Sequence, residues 1–147
     1  MKISTKGRYA LRMIVDLAES GSDDYVALKE IAERQNISKK YLEQIVPILT
    51  RGGILSTNRG YQGGYRLSRN PSLITCGEVL RLTEGSLAPI ACLENGVENI
   101  DCDRKDECMT LPLWIGLSRV INNYLDGITV QDIIDQHNNR GADEYMI

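Results

Sequence analysis

The sequence predicts a mainly α-helical chain with one small β-hairpin, and three observations carry that prediction. Apolar residues recur at helical spacing over residues 6–19, 27–35, 38–51, 76–84 and 113–125. Between the second and third of these stretches lies Gln35-Asn-Ile-Ser38, too short for anything but a tight corner. After the third, two short alternating segments flank the glycine-rich turn Arg59-Gly-Tyr-Gln-Gly63. Helix, corner, helix and hairpin in that order make a winged helix–turn–helix domain. The stretch 113–125 adds a long C-terminal helix.

Each element has a local cause. Residues 6–19 carry Tyr9, Leu11, Met13, Ile14, Val15, Leu17 and Ala18 with no Pro or Gly after Gly7, which predicts a largely buried helix ended by Gly21 and Ser22. Leu28, Ile31 and Ala32 share one face of the next helix. Asn36 tolerates the left-handed conformation that a corner requires. Ile37 plugs the corner, and Ser38 caps the helix that follows. That helix turns Leu42, Ile45, Val46 and Leu49 inward, and Pro47 is expected to kink or loosen its second half. Ile54-Leu-Ser-Thr-Asn58 and Gly64-Tyr-Arg-Leu-Ser68 alternate as strands. Thr75 caps a helix over 76–84 that Gly85 closes. Thr129-Val-Gln-Asp132 has the form of a capping box opening a short last helix through Asp135, with a loose polar tail from Asn138.

The charge is divided. Residues 1–70 hold 12 Lys/Arg against 7 Asp/Glu, and residues 71–147 hold 5 against 13. A basic half suits a polyanion, while an acidic remainder limits indiscriminate adhesion to nucleic acid. No apolar run is long enough to span a bilayer, and no apolar signal core follows the N-terminal Met-Lys-Ile-Ser-Thr-Lys-Gly-Arg, so a reducing cytoplasm and no membrane partner are expected.

A recognition helix reads base edges with its first turns. Here those turns offer Ser38, Lys39, Lys40, Tyr41, Glu43 and Gln44. Gln pairs donor and acceptor groups with adenine, and Glu accepts from cytosine. Arg59 at the hairpin, with Gly60 and Tyr61 beside it, suits a narrow minor groove. Lys2, Lys6 and Arg8 are candidates for phosphate contacts, which set register. The expected partner is double-stranded operator DNA. Glu43, a carboxylate facing phosphates, should penalise sites that offer it no donor.

Three of the four cysteines, Cys92, Cys102 and Cys108, crowd one polar segment in the pattern C-x9-C-x5-C. Thiolates are soft anionic ligands suited to iron–sulfur clusters or zinc. The absence of C-x2-C argues against a zinc knuckle, and long spacings suit a loop wrapping a larger object such as a two-iron cluster. That cluster takes four ligands. Cys76, at the start of an apolar helix, reads as a buried thiol, and His137 lies in the polar final segment. An acidic side chain of the loop or a group from a partner subunit stays open as the fourth ligand. So does a thiol redox switch in place of a metal centre. A thiol oxidoreductase is the enzymatic alternative, but neither a C-x2-C nor a catalytic constellation supports it.

Ser4-Thr-Lys-Gly-Arg-Tyr-Ala10, Tyr41-Leu-Glu-Gln44, Arg59-Gly-Tyr-Gln-Gly-Gly-Tyr65 and Gly77-Glu-Val79 together resemble the bacterial family of the iron–sulfur cluster regulator IscR. Its relatives include the nitric-oxide sensor NsrR and the cysteine-metabolism repressor CymR. The resemblance runs from Met1 to about Asp135. It implies a dimeric winged helix–turn–helix repressor, not an enzyme, whose long C-terminal helix crosses to the partner. Trp114, Leu117, Ile121 and Leu125 are the expected dimerisation stripe. It further implies that Cys92, Cys102 and Cys108 hold a 2Fe-2S cluster, and that a cluster-assembly scaffold protein is a candidate partner. Tyr41, Glu43, Gln44 and Arg59 match the DNA-reading positions, with Glu43 the residue whose placement follows cluster occupancy.

Two departures stand out. The first cysteine interval is nine residues where enteric IscR-like proteins have five. Leu111 stands where their fourth ligand is a histidine. Both chain ends look more like CymR, whose kind lacks the cysteine triad. The triad favours a cluster sensor controlling cluster-assembly genes over a cysteine-metabolism repressor, and a nitric-oxide or redox sensor stays open as an alternative. The expected organisation is a DNA-binding domain over 1–84, a cysteine-rich cluster loop over 85–110, dimerisation and short C-terminal helices over 111–136, and a flexible tail over 137–147.

Overall fold

The computed structural model describes residues 1–21 and 23–145, with side chains through Gly141. Among these residues six helices and a two-stranded antiparallel sheet follow in the order α1 (Thr5–Glu19), α2 (Leu28–Gln35), α3 (Lys39–Arg51), β1 (Leu55–Asn58), β2 (Gly64–Leu67), α4 (Cys76–Glu84), α5 (Leu111–Asp126) and α6 (Val130–Tyr145). Short 3₁₀ turns lie at Pro71–Leu73 and Ala91–Leu93.

Side-chain oxygens start the helices by accepting orphan backbone N–H groups. Ser4 accepts from Gly7 at 3.1 Å, Ser38 from Tyr41 at 3.3 Å and Thr75 from Glu78 at 3.1 Å. At α6 the cap is reciprocal: Asp132 N donates to Thr129 Oγ1 at 3.0 Å, and Thr129 N donates to Asp132 Oδ2 at 2.9 Å. The core joins Met13 and Ile14 of α1, Ile31 of α2, Leu42, Ile45 and Leu49 of α3, Val79 of α4 and Val130 of α6, all fully buried. Each contributes about 1.5–3 kcal/mol of apolar burial.

The corner between α2 and α3 has the conformation its sequence predicts. Asn36 sits at φ 52°, ψ 47°, and Ile37 is buried beneath it. An ionic clasp, which the sequence did not announce, fixes the corner to α1. Asp16, only 6 % exposed, accepts from Arg34 at 2.6 and 3.0 Å and from Gln35 at 2.9 Å. Arg12 donates to the Gln35 carbonyl from the same helix.

The hairpin pairs Leu55 with Leu67 and Asn58 with Gly64. Val26 adds a third rung: its N–H donates to Tyr65 O at 2.9 Å, and Tyr65 N donates back at 2.8 Å. A Cβ on Gly64 would lie 2.3 Å from the Val26 carbonyl oxygen, so only glycine lets β2 approach that close.

Arg81 docks α5 on α4, donating to both Asp126 oxygens at 2.8 Å and to Asn122 at 2.7 Å. Below this contact Cys76 N donates to Ile128 O at 2.8 Å and Val130 N to Ile74 O at 2.9 Å. The Arg81 guanidinium holds the Asp126 carboxyl below its ordinary pKa. A depressed carboxylate contributes stability above its unfolded pKa of about 4 and loses it as pH falls through the lower folded value. Asp126→Asn should therefore be less stable at neutral pH, and should lose less stability than wild type between pH 7 and pH 3. The pair is half exposed, so the effect is small. Urea denaturation at both pH values tests this. An equal loss in the two proteins would remove Asp126 from the pH dependence.

Two expectations need correction. Pro47 leaves α3 continuous to Arg51. It lies on the exposed face, where water can take the Glu43 carbonyl that lacks an N–H partner. The last helix does not stop at Asp135 but runs to Tyr145. Val130 and Ile134 anchor it on the core, Gln131 bonds Asp135 one turn on, and no proline follows. On α5 the exposed apolar face includes Leu117 of the expected stripe, as set out below. The expected role of Ser22 and the last two residues of the tail lie outside the described residues.

Candidate functional site

The basic half of the chain presents α3 and the hairpin tip as two walls of one groove of about 590 Å³. Lys39, Glu43 and Pro47 line it from α3, and Asn58, Arg59 and Gly60 from the hairpin. Lys39, Lys40, Glu43 and Gln44 are all exposed, as their polar character requires. Ser38 is the cap that orients them. Tyr61 projects from the tip, 95 % exposed, where Gly60 at φ 102° and Gln62 at φ 61° turn the chain. Helix face and hairpin tip thus present cations and hydrogen-bonding groups to one groove, the arrangement by which a winged helix–turn–helix sets a helix in a major groove with a wing beside it.

Tyr41 differs from its neighbours. Its ring is half buried and meets Tyr9 of α1 edge to face, with centroids 5.4 Å apart and planes at 77°. Arg12 lies over the Tyr9 ring at 5.3 Å. Tyr41 therefore anchors the first turn of α3 as well as bordering the reading face. From the sequence alone Tyr9 reads as core and Arg12 has no role, because nothing local signals that Tyr9 meets Tyr41 or that Arg12 meets Gln35.

The cysteine loop spans the connection from α4 to α5. Leu87 and Leu93 are buried and pin its first half, while the polar stretch after Leu93 is almost wholly exposed. Cys92, Cys102 and Cys108 are each half buried and free. The Thr110 hydroxyl, 3.5 Å from the Cys108 sulfur, and the Thr110 backbone hold that thiol below its ordinary pKa. Burial pushes the Cys76 thiol up, reinforced by the charge of Asp132. Cys76 thus has the character of an inert core thiol.

Among the described residues no three His, Cys, Asp or Glu side chains stand together as they would around a metal ion. The donor set fits an iron–sulfur centre in its chemistry, with three soft ligands on one irregular loop. Closing a cage would require the loop to fold around the centre.

The face of α5 opposite α4 carries Leu113, Leu117, Val120 and Tyr124, at 62 %, 40 %, 65 % and 66 % exposure. Their spacing of four, three and four is that of a helix-pairing seam. Of the expected stripe, Leu117 shares this face, while Trp114, Ile121 and Leu125 are half buried. Broad apolarity of α5 hid which face its own subunit covers. Among the described residues no helix is long and apolar enough to cross a membrane.

Known proteins share this architecture. The family model Rrf2, described as iron-dependent transcriptional regulator, matches residues 3–136. The transcriptional regulator CymR of Bacillus subtilis is 37 % identical over 90 % of this chain and 89 % of its own. The solved structure of that global cysteine regulator gives a TM-score of 0.73, covering 92 % of this chain and 98 % of the other. The transcriptional regulator IscR of Klebsiella pneumoniae is 36 % identical over 92 % of this chain and 80 % of its own. The structure of T. potens IscR, 36 % identical, also gives a TM-score of 0.73, over 93 % of this chain and 88 % of that one. Regulators of two kinds thus match equally well, and both carry the winged-helix frame described above. With a reading helix, a wing and relatives named as regulators rather than enzymes over nine-tenths of its length, the chain belongs to the Rrf2 family of transcriptional regulators.

Proposed function

We propose that this regulator is a homodimeric repressor that reports iron–sulfur status through a 2Fe-2S cluster held by Cys92, Cys102 and Cys108, and controls cluster-assembly genes. The observation that carries this reading is the placement of three thiols on one irregular loop whose two ends are α4 and α5, the helices that Arg81 clamps together. When bound, the cluster supplies a charged, redox-labile centre that orders the loop. The protein does the rest. Lys39, Lys40, Glu43 and Gln44 meet base edges, Arg59, Gly60 and Tyr61 meet the adjacent groove, and the α5 seam joins two readers. Two states of the loop that differ in their fit to DNA shift the binding equilibrium. Glu43 is the switch, because a carboxylate tolerates only sites that offer it a donor.

Anaerobic purification with absorption spectroscopy and iron and sulfide counting tests the centre. Colourless protein free of iron and sulfide would instead favour a cysteine-metabolism repressor, the reading that the match to CymR supports.

Arg59 gives the wing its own test. Arg59→Ala should weaken operator binding and reduce the slope of log affinity against log salt by about one, the signature of one lost phosphate contact. A fluorescence-anisotropy titration over a range of salt that finds slope and affinity unchanged would take the wing off the DNA.

A further inference from the structure

We propose that Glu84, the last residue of α4, is a positioning residue for DNA reading, acting through Ser4 and α1 on the reading end of α3. The proposal rests on α3 being the reading helix. Its basis is a chain of contacts running from the cysteine loop to the helix–turn–helix corner.

One oxygen of Glu84 takes two hydrogen bonds from a residue 80 positions away, the Ser4 N–H at 3.0 Å and the Ser4 hydroxyl at 2.6 Å. The same hydroxyl accepts from Gly7 N and caps α1. The two helices touch here: a Cβ on Gly7 would lie 2.3 Å from Glu84 Oε1 and 3.2 Å from Leu80. Immediately beyond Glu84, Gly85 at φ 80° turns the chain into the cysteine loop.

Farther along, α1 grips both sides of the corner. Tyr9 holds Tyr41 in the first turn of α3, and Arg12 and Asp16 hold Gln35 and Arg34 at the end of α2. Tyr9 lies about 7.5 Å along the helix axis from Ser4, at 1.5 Å per residue. The other end of α3 is held by α4 directly, since Gly52 packs so closely on Leu82 that a Cβ there would stand 2.4 Å from its Cδ1.

Helix α4 therefore fixes α3 at two points. The Gly52 contact is a pivot, and Glu84, through Ser4 and Tyr9, sets the angle of the reading end. Without Glu84 the reading end swings about the pivot. Base contacts then lose register, while phosphate contacts, which depend less on angle, persist. The same linkage gives the loop that starts at Gly85 a route to the DNA.

The experiment uses the full chain and a duplex selected from a random pool by the wild-type protein. Affinity is measured for that duplex and for one with a single base pair changed, at several salt concentrations, with melting temperature as control. Glu84→Ala should lose about tenfold in discrimination, within what one mismatched pair costs, with an unchanged salt slope. Glu84→Gln, whose amide oxygen still accepts both Ser4 bonds, should restore discrimination. Tyr9→Leu should match Glu84→Ala, and the double variant should lose no more than either alone. Wild-type discrimination in Glu84→Ala, failure of Glu84→Gln to rescue, or additive losses would overturn the proposal. If Glu84→Ala does not fold, full discrimination by Tyr9→Leu overturns it equally. Failure of wild-type protein to select any sequence would instead overturn the reading of α3.

Discussion

Cys92→Ala, Cys102→Ala and Cys108→Ala should each purify without bound iron or sulfide, while Cys76→Ala should keep the wild-type complement. The physical ground is ligand count. A two-iron cluster is held by four protein groups, and this loop supplies three thiolates, so no loop cysteine is spare. Water in place of a thiolate leaves an iron open to exchange and the cluster open to loss. Cys76 is 4 % exposed and its thiol is pushed toward the neutral form, which is a poor ligand. Its truncation should cost on the order of 1 kcal/mol of folding stability and nothing in metal content. Anaerobic iron and sulfide analysis of the four variants decides. A full complement in any loop variant would remove that cysteine from the centre, and loss in Cys76→Ala would bring the core thiol into it.

Leu117→Asp combined with Val120→Asp should convert a dimer into a soluble monomer that no longer grips a two-part operator. Both residues lie on the exposed seam of α5. In an isologous interface each substitution counts twice. Burial of one such side chain is worth about 1.5–3 kcal/mol, so four lost contacts exceed about 6 kcal/mol, roughly a 10⁴-fold rise in the dissociation constant. Half-sites one helical turn apart, about 34 Å, need two joined readers. The fold should survive, because neither side chain contributes to the buried core. Ile121→Asp is the contrasting variant, since it places charge on the half-buried face and should lower the melting temperature. Sedimentation equilibrium would refute the seam if the double variant remained a dimer.

Local rules made much of the fold legible. Ser38, Thr75 and Thr129 each name a helix start by the chemistry of one side chain and the N–H three residues on. Asn36 names the corner by the one backbone conformation it tolerates better than its neighbours. The glycine-rich tip names the wing. What the sequence left unread depends on partners distant in the chain. The Asp16 clasp looks like a polar break in an apolar helix until Arg34 and Gln35 arrive to satisfy it. The outward face of α5 is undefined until Arg81 fixes how that helix rolls against α4. The far half of α6 carries no apolar stripe, and its helicity follows from the anchored first turns. At the candidate site, the exposure of Lys39, Lys40, Glu43 and Gln44 was legible because polar residues on a capped helix admit few arrangements. The placement of the three loop cysteines was less so, since a loop without periodicity carries residue identity but no geometry.

The clamp between α4 and α5 has a consequence for how such a loop can change in length. Both ends of residues 85–110 are fixed to a frame that Arg81, Asp126 and Asn122 hold independently of the loop itself. Closing a flexible segment costs entropy that grows only with the logarithm of its length. Four added residues in a loop of this size therefore cost only about 0.1 kcal/mol. An interval of nine between the first two cysteines, in place of five, is then nearly free for the folded frame. Insertions here are hardly filtered by stability, which leaves the loop free to diverge while the helical frame beneath it stays the same.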